Sequence, residues 1–278
     1  MAKLLNKTGK LVFIGPGVMA EAMISRLIAN ENVAPGEIIA AGPRPERGDQ
    51  LKKDYGISFE LDNEKAASQA SILVLAVKPQ QMAKAIAPVV GKLDPDCLVI
   101  SIAAGISLDW LGIALTNDQL VRAMPNAPAQ IGEGITVWTA STACNPEHRS
   151  QAEQVLAALG QTVFVEEESY LDKATALSGT GPAYVFLFME AMVDAGVHMG
   201  FPRRLSEQLV VETLRGSVDF YDQSEEYPRH LARLRNQVTS PGGTSAEALY
   251  FLEKAGFRTA ISRAIWAAYE RSLSLGDP

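Results

Sequence analysis

The chain has 278 residues, of which 47% are hydrophobic and 21% charged, with a formal net charge of −7. That length suits two domains, and the composition is that of a globular protein whose acidic balance argues against a general nucleic-acid binder. Cys97 and Cys144 are too few for a disulfide framework or a cysteine metal cluster, which fits a reducing, cytoplasmic setting, and the scattered Lys3, Lys7 and Lys10 make no basic-then-apolar leader.

Leu11-Val-Phe-Ile14 predicts a buried strand that runs into Gly15-Pro-Gly17. Beyond it, positions 19, 20, 23, 24, 27 and 28 are apolar at helical spacing. With Ala20 as third small residue the turn reads Gly-x-Gly-x-x-Ala. Such a turn lets a diphosphate approach main-chain N–H groups at the positive end of a helix, because no Cβ intervenes. Gly15, Gly17, Val18 and Met19 are therefore candidate cofactor contacts. A purely structural glycine turn is the plainer alternative, disfavoured by the flanking strand and amphipathic helix.

Glu37-Ile-Ile-Ala-Ala41 predicts a second parallel strand, followed by Gly42-Pro-Arg-Pro-Glu-Arg47 with no acid at the strand end. A carboxylate there would bond the ribose 2′-hydroxyl of NAD. Arg44, with Arg47 as helper, instead suits the 2′-phosphate of NADP(H), unless both are ordinary solvated loop arginines. Ile57-Ser-Phe59 reads as a short strand, and Asp62 as the cap of a helix to about Gln69. Ser71 to Val77 is a continuous apolar run, the mark of a strand buried on both faces. It ends in Lys78-Pro79-Gln80, at the edge where open parallel sheets bind ligands, which makes Val77, Lys78 and Pro79 candidate cofactor neighbours. Pro79 equally starts a helix carrying Met82, Ile86 and Val90. Cys97 to Ile102 is the next strand, and Ala103 and Ala104 after it are small enough for a flat ring to approach the backbone. Gln119 to Met124 predicts another. Asn126, just past its end, is placed either to bond a carboxamide or substrate or simply to turn the chain.

Ile135 to Thr139 alternates as a strand, Asn145-Pro146 starts a helix that Gly160 stops, and Gln161 to Val165 is the last strand. Strand-helix alternation ends there, so the expected domains are residues 1–168 and an all-helical 169–278. In the second, Tyr170 to Leu177 leads to a kink at Ser178-Gly-Thr-Gly-Pro182 and then to an apolar helix reaching about Met199. Its most apolar part, Ala183 to Met192, contains Glu190 and is too short to span a bilayer, which predicts a buried interface helix. Phe201-Pro202 opens another helix, and Arg229, Arg233 and Arg235 mark a short basic one. Val238 to Leu249 carries a glycine-rich turn, then Thr244-x-x-Glu247, read as a capping box with Thr244 at the N-cap. Ser245 then begins the helix with its hydroxyl free, and the N–H groups of Gly242, Gly243 and Thr244 offer a carboxylate site. A well-capped surface helix is the alternative. His148, His198 and His230 stand in unrelated contexts, so no metal set is expected.

Phe13-Ile-Gly-Pro-Gly-Val-Met-Ala20, Leu177-Ser-Gly-Thr-Gly-Pro-Ala-Tyr184 and Gln237 to Leu249 together resemble the pyrroline-5-carboxylate reductases, the last stretch being that family's signature. Ala76-Val-Lys-Pro-Gln80 and Arg122-Ala-Met-Pro-Asn126 extend the resemblance over nearly the whole chain. It implies an α/β Rossmann-like N-terminal domain with a mostly parallel sheet, and an all-α C-terminal dimerisation domain that interlocks with a partner subunit. It further implies NADPH or NADH as reductant, an active site where the two domains meet, and a homodimer open to assembly into larger rings. The substrate would be pyrroline-5-carboxylate, with no nucleic acid or membrane partner. Ser178, Ser240, Gly242, Gly243 and Thr244 become substrate-binding candidates. Ser245 becomes the catalytic one, standing where the family usually has a threonine whose hydroxyl touches the substrate's ring nitrogen. The segment from Pro228 to Asn236 is a few residues longer than is common in the family, which leaves the alignment of Glu225 and the arginines open.

Two other readings compete. A hydroxy-acid dehydrogenase would want a lysine in the Ser178 or Ser240 loop, and the nearest is Lys173. A nucleotide sensor would want a basic recognition helix.

Overall fold

In β1 (Lys10–Ile14), Leu11 and Phe13 pack into the core on one face of the central sheet and Val12 and Ile14 into the core on the other, all buried. A strand with both faces covered is the requirement for the middle of a parallel sheet. The computed structural model describes residues 4–5, 9–223 and 230–275, so Glu225, Pro228 and Arg229 lie outside the described residues. Seven more strands follow: β2 (Ile38–Ala41), β3 (Ser58–Glu60), β4 (Ala70–Leu75), β5 (Leu98–Ser101), β6 (Leu120–Met124), β7 (Gly134–Ala140) and β8 (Gly160–Phe164). Their order is β3-β2-β1-β4-β5-β6-β7-β8, parallel throughout except between β6 and β7. The carboxyl ends of the first six strands thus lie on one edge, and the order reverses between β1 and β4, where a crevice opens.

Helices α1 (Val18–Ala29), α2 (Pro45–Tyr55), α3 (Asn63–Ala67), α4 (Met82–Ile86), α5 (Leu108–Leu115) and α6 (Pro146–Ala157) connect these strands. The cap expected of Asp62 forms, its carboxylate accepting from the Glu64 and Lys65 N–H groups, and Asn145 caps α6 by accepting from the His148 N–H. The helix after Pro79 is shorter than its apolar spacing suggests, because 3₁₀ turns at Pro79–Gln81 and Ala87–Val89 flank α4. His148 is buried, with its Nε2 3.3 Å from Asp96, a structural placement.

Beyond β8 the described chain is helical: α7 (Ser169–Ala174), α8 (Gly181–His198), α9 (Arg203–Asp222), α10 (Leu231–Gln237), α11 (Thr244–Lys254) and α12 (Phe257–Ser274). The kink expected at 178–182 is a π turn at Thr175–Gly179, in which the Thr180 N–H reaches back five residues to the Thr175 carbonyl at 2.8 Å. By compactness the chain divides into Met1–Pro182 with Ala267–Pro278, and Ala183–Trp266. By this measure α7 and the end of α12 group with the sheet.

The apolar stretch Ala183 to Met192, expected to be an interface helix, lies within a longer helical run. Because the π turn does not interrupt the run, Ser169–His198 is a 30-residue helical stretch long and apolar enough, by length and composition alone, to cross a membrane. Length therefore does not decide how α8 is covered. Many of its apolar side chains are open in the single chain, Phe186 being 64% and Leu187 67% exposed, while Val193 and Gly196 are buried.

Candidate active site

Strand β1 ends in Gly15, whose φ of 90° only glycine adopts freely and where a Cβ would lie 2.5 Å from Val77 Cγ1. The Gly15 N–H donates to Ala41 O and the Ala76 N–H to Ile14 O, so the exits of β1, β2 and β4 are tied together. A cavity of about 540 Å³ opens beside them, lined by Gly15, Gly42, Pro43, Asp62, Val77 and Lys84 among others. Gly17 is the N-cap of α1 with no side-chain cap, which leaves the N–H groups of Val18, Met19 and Ala20 without intrahelical partners. A Cβ built on Gly17 would meet nothing nearer than Gly15 O at 4.0 Å. Open space at that Cβ position, facing unpartnered N–H groups, is the cradle a dinucleotide diphosphate needs, so the residues present fit the cofactor.

The remaining cofactor candidates stand along the same edge. Arg44 is the N-cap residue of α2, exposed, its side chain without a partner among the described residues, next to the cavity-lining Pro43. Arg47 does not serve as its helper. Its Nε donates to Pro16 O at 2.9 Å and its Nη atoms to Glu21 and Gln50. Lys78 is exposed at the β4 exit and Pro79 begins the 3₁₀ turn after it. Ala103 is buried and Ala104 half-buried at the β5 exit. Asn126 follows β6 half-buried, its Oδ1 accepting from the Ile135 N–H at 3.0 Å and its amide Nδ2 without a partner among the described residues. Sequence reasoning read Asp62 only as a cap and passed over Asn63. Both line the cavity just past β3, and a polar pair at a strand exit was the available signal.

Ser178 sits in the π turn and donates to Ala174 O at 3.0 Å, so its hydroxyl keeps only acceptor capacity. The neighbouring Gly179 packs against Met124, placing this turn at the β6 exit near Asn126.

The helical unit carries the other group. Ser240-Pro-Gly-Gly243 forms a type II turn, with Gly242 at φ 71° and the Gly243 N–H donating to Ser240 O at 3.1 Å. Helix α11 starts at Thr244 with Gly243 as N-cap and no side-chain cap, so the capping box with Thr244 at the N-cap does not form. The Pro-Gly turn ends at Gly243, so Thr244 is the first helical residue rather than the cap. Two consequences follow for the carboxylate site. The Gly243 N–H is occupied within the turn; that of Gly242 has no partner among the described residues, and those of Thr244, Ser245 and Ala246 are open in the first turn of α11. Ser245 is half-buried, and its hydroxyl has no partner among the described residues.

Buried groups outside the predicted set hold the first unit together. Arg122 on β6, 4% exposed, donates to Glu168 Oε1 at 2.9 Å and to Asp172 Oδ1 at 2.8 Å. Glu168 also accepts from the Leu108 N–H, and Asp172 from the Ser272 hydroxyl. Burial pushes the Cys97 thiol up to about 12 and raises that of Cys144 as well. Lys173 is drawn over the Tyr170 ring, 4.3 Å from its centre, rather than standing free as a base. Among the described residues, no three His, Cys, Asp or Glu side chains gather as a metal site would require.

Residues 168–275 match the family described as pyrroline-5-carboxylate reductase dimerisation, and residues 10–105 that described as NADP oxidoreductase coenzyme F420-dependent. The pyrroline-5-carboxylate reductase of Synechocystis sp. is 42% identical over 96% of this chain and 98% of its own length. The Escherichia coli reductase is 36% identical over the same shares. The crystal structure of Plasmodium falciparum pyrroline carboxylate reductase with NADP bound superposes with a TM-score of 0.86 at 32% identity, covering 98% of this chain and 99% of that one. A diphosphate cradle on a Rossmann-like sheet, a helical half matched from residue 168, and full-length identity of this order have one joint consequence: the chain belongs to the pyrroline-5-carboxylate reductase family.

Proposed function

We propose that this protein reduces 1-pyrroline-5-carboxylate to L-proline, the last step of proline biosynthesis, by hydride transfer from NAD(P)H. The observation that carries the reading is likeness to named reductases along the whole chain, with the cofactor cradle formed as the reaction requires. The N–H groups of Val18 and Met19 would hold the diphosphate, Arg44 the 2′-phosphate of NADPH, and the small Ala103-Ala104 segment would admit the nicotinamide ring. When bound, the nicotinamide supplies the hydride.

The protein's own residues bind and orient. The N–H groups of Thr244 and Ser245, at the positive end of α11, suit the substrate carboxylate, with Ser240, Gly242 and Gly243 shaping the turn that presents them. Ser178, as acceptor, suits a substrate N–H. The free hydroxyl of Ser245 suits the ring nitrogen in either state, donating to the neutral imine or accepting from the protonated one, and serine in place of the family's usual threonine keeps that hydroxyl. A cyclic imine is basic enough to arrive protonated, so positioning rather than a strong general acid is the main task of these side chains.

Self-association as a homodimer, through the exposed apolar side chains of α8 and the helices after it, accounts for those side chains better than lipid does, since the matched family is named for dimerisation. Assembly into larger rings is part of the same proposal. So are a cytoplasmic setting, consistent with two buried free thiols, and the domain roles, cofactor binding in 1–168 and substrate binding in 169–278. The test is direct. Purified protein given pyrroline-5-carboxylate should consume NADPH or NADH and yield proline, and no turnover with either cofactor would overturn the assignment.

A further inference from the structure

Arg47 lies in the first turn of α2 with its side chain only 15% exposed. All three guanidinium nitrogens are engaged: Nε with Pro16 O at 2.9 Å, Nη2 with Glu21 Oε2 at 2.5 Å and Nη1 with Gln50 Oε1 at 2.9 Å. Glu21 in turn accepts from the Tyr55 hydroxyl at 3.1 Å. Pro16 is the middle residue of the diphosphate turn, and the Gly17 N–H folds back on Gly15 O at 2.7 Å. The peptide between Pro16 and Gly17 is therefore held at both ends, its carbonyl by Arg47 and its N–H by Gly15.

That peptide matters because its carbonyl oxygen carries partial negative charge. Left unpaired beside the cradle it would repel a diphosphate; held by a guanidinium its charge is offset, and the open N–H groups of α1 dominate. Glu21 adds a second reason. It stands in the first turn of α1, where a carboxylate competes with a bound anion, and Arg47 offsets its charge at contact distance.

We propose that Arg47 is a positioning residue for the cofactor diphosphate, which keeps the Gly15-Pro16-Gly17 turn in its anion-binding form and takes no part in reading the 2′-phosphate. This rests on the NAD(P)H reading given above. The division of labour is that Arg44 discriminates between the two nicotinamide cofactors, while Arg47 serves both equally.

The test measures dissociation constants for NADPH, NADH, ADP-ribose and adenosine 2′-monophosphate, together with steady-state kinetics, in the wild-type enzyme and in Arg47→Met, Arg47→Lys, Glu21→Gln and the Arg47→Met/Glu21→Gln pair. Arg47→Met should weaken NADPH, NADH and ADP-ribose by a common factor of about tenfold, the loss of one charge-assisted hydrogen bond. Binding of adenosine 2′-monophosphate, which has no diphosphate, should stay within about twofold, and kcat should change far less than cofactor KM. Adding Glu21→Gln should recover part of the loss, because it removes the carboxylate that Arg47 offsets. Glu21→Gln alone should not weaken either cofactor. Arg47→Lys keeps the charge and, should Arg47→Met not fold, supplies the same comparison with a smaller common loss. A loss confined to NADPH and adenosine 2′-monophosphate would make Arg47 a 2′-phosphate reader and overturn the proposal. Unchanged affinities would overturn it too. Failure of the wild-type protein to bind any nicotinamide cofactor would instead strike the functional reading itself.

Discussion

The Arg122 guanidinium meets the Asp172 carboxylate at 2.8 Å, joining β6 to α7 across 50 residues of sequence, and the same carboxylate oxygen receives the Ser272 hydroxyl of α12 at 2.8 Å. A buried cation held by two carboxylates is costly to disturb from one side, since removing a partner leaves charge without compensation. Asp172→Ala should therefore lower stability by about 3 kcal/mol, the low end of the range for a broken buried pair because Glu168 still faces Arg122. Ser272→Ala, which removes one hydrogen bond to a charged group, should cost about 1.5 kcal/mol. Urea unfolding midpoints of the two variants check both figures, and a larger loss for Ser272→Ala would contradict this ranking.

The two glycines of the diphosphate turn should fail in different ways. Gly15→Ala puts a methyl group 2.5 Å from Val77 Cγ1 at a φ of 90°, so it should destabilise the fold by about 3 kcal/mol through overpacking and backbone strain. Gly17→Ala has room for its methyl group and should fold normally, yet weaken NADPH at least about tenfold, because the group projects into the cradle. Melting curves and cofactor fluorescence titrations separate the two behaviours.

Arg44→Ala should lower kcat/KM with NADPH by about tenfold or more while leaving NADH within about twofold, as expected for loss of a charge-assisted contact to the 2′-phosphate. An equal effect on both cofactors would remove Arg44 from cofactor selection.

Ser245→Ala should reduce turnover on the order of tenfold to a thousandfold, the usual loss of a single oriented donor at a reacting centre. Ser245→Thr should retain activity, since the hydroxyl persists. Wild-type turnover by the alanine variant would exclude the hydroxyl from the reaction.

Cys97 should be inert toward thiol reagents near neutral pH in the native protein and reactive once unfolded, because burial holds its ionisation near pH 12. The stability consequence has a definite sign. The neutral thiol is preferred in the folded state, so its contribution is complete below the ordinary value of 9 and is lost as pH rises from there toward 12. Cys97→Ala should flatten that alkaline decline in a pH series of unfolding midpoints.

Much of the first unit was legible because local pattern and tertiary demand agree there. The apolar run of β1, the glycine turn and the spacing of α1 each follow from nearest-neighbour chemistry, and so do the caps at Asp62 and Asn145. Contacts distant in sequence were not legible. Nothing in Arg47 itself shows that its guanidinium is taken up by Pro16, 31 residues away, so it read as a helper to Arg44 or else as a solvated loop arginine. The Thr244-x-x-Glu247 pattern misled for a local reason. Thr244 fits an N-cap in isolation, but the type II turn through Pro241 and Gly242 already ends at Gly243 and starts the helix there. The extent of α8 was read to within two residues, but its continuity with α7 was not, because a π turn joins two helical runs where Gly-Thr-Gly-Pro reads as a break.

The chain leaves the first unit at Pro182 and re-enters it at Ala267, so the helical part is an insertion with two attachments rather than an appended tail. Recombination between relatives inherits that topology. A crossover at residue 168 would carry Asp172 and Ser272 away with the donor segment and leave Arg122 to face side chains chosen elsewhere. Cutting instead at 182 and 266 would transfer the helical insertion alone and leave every member of the buried charge cluster with its original host.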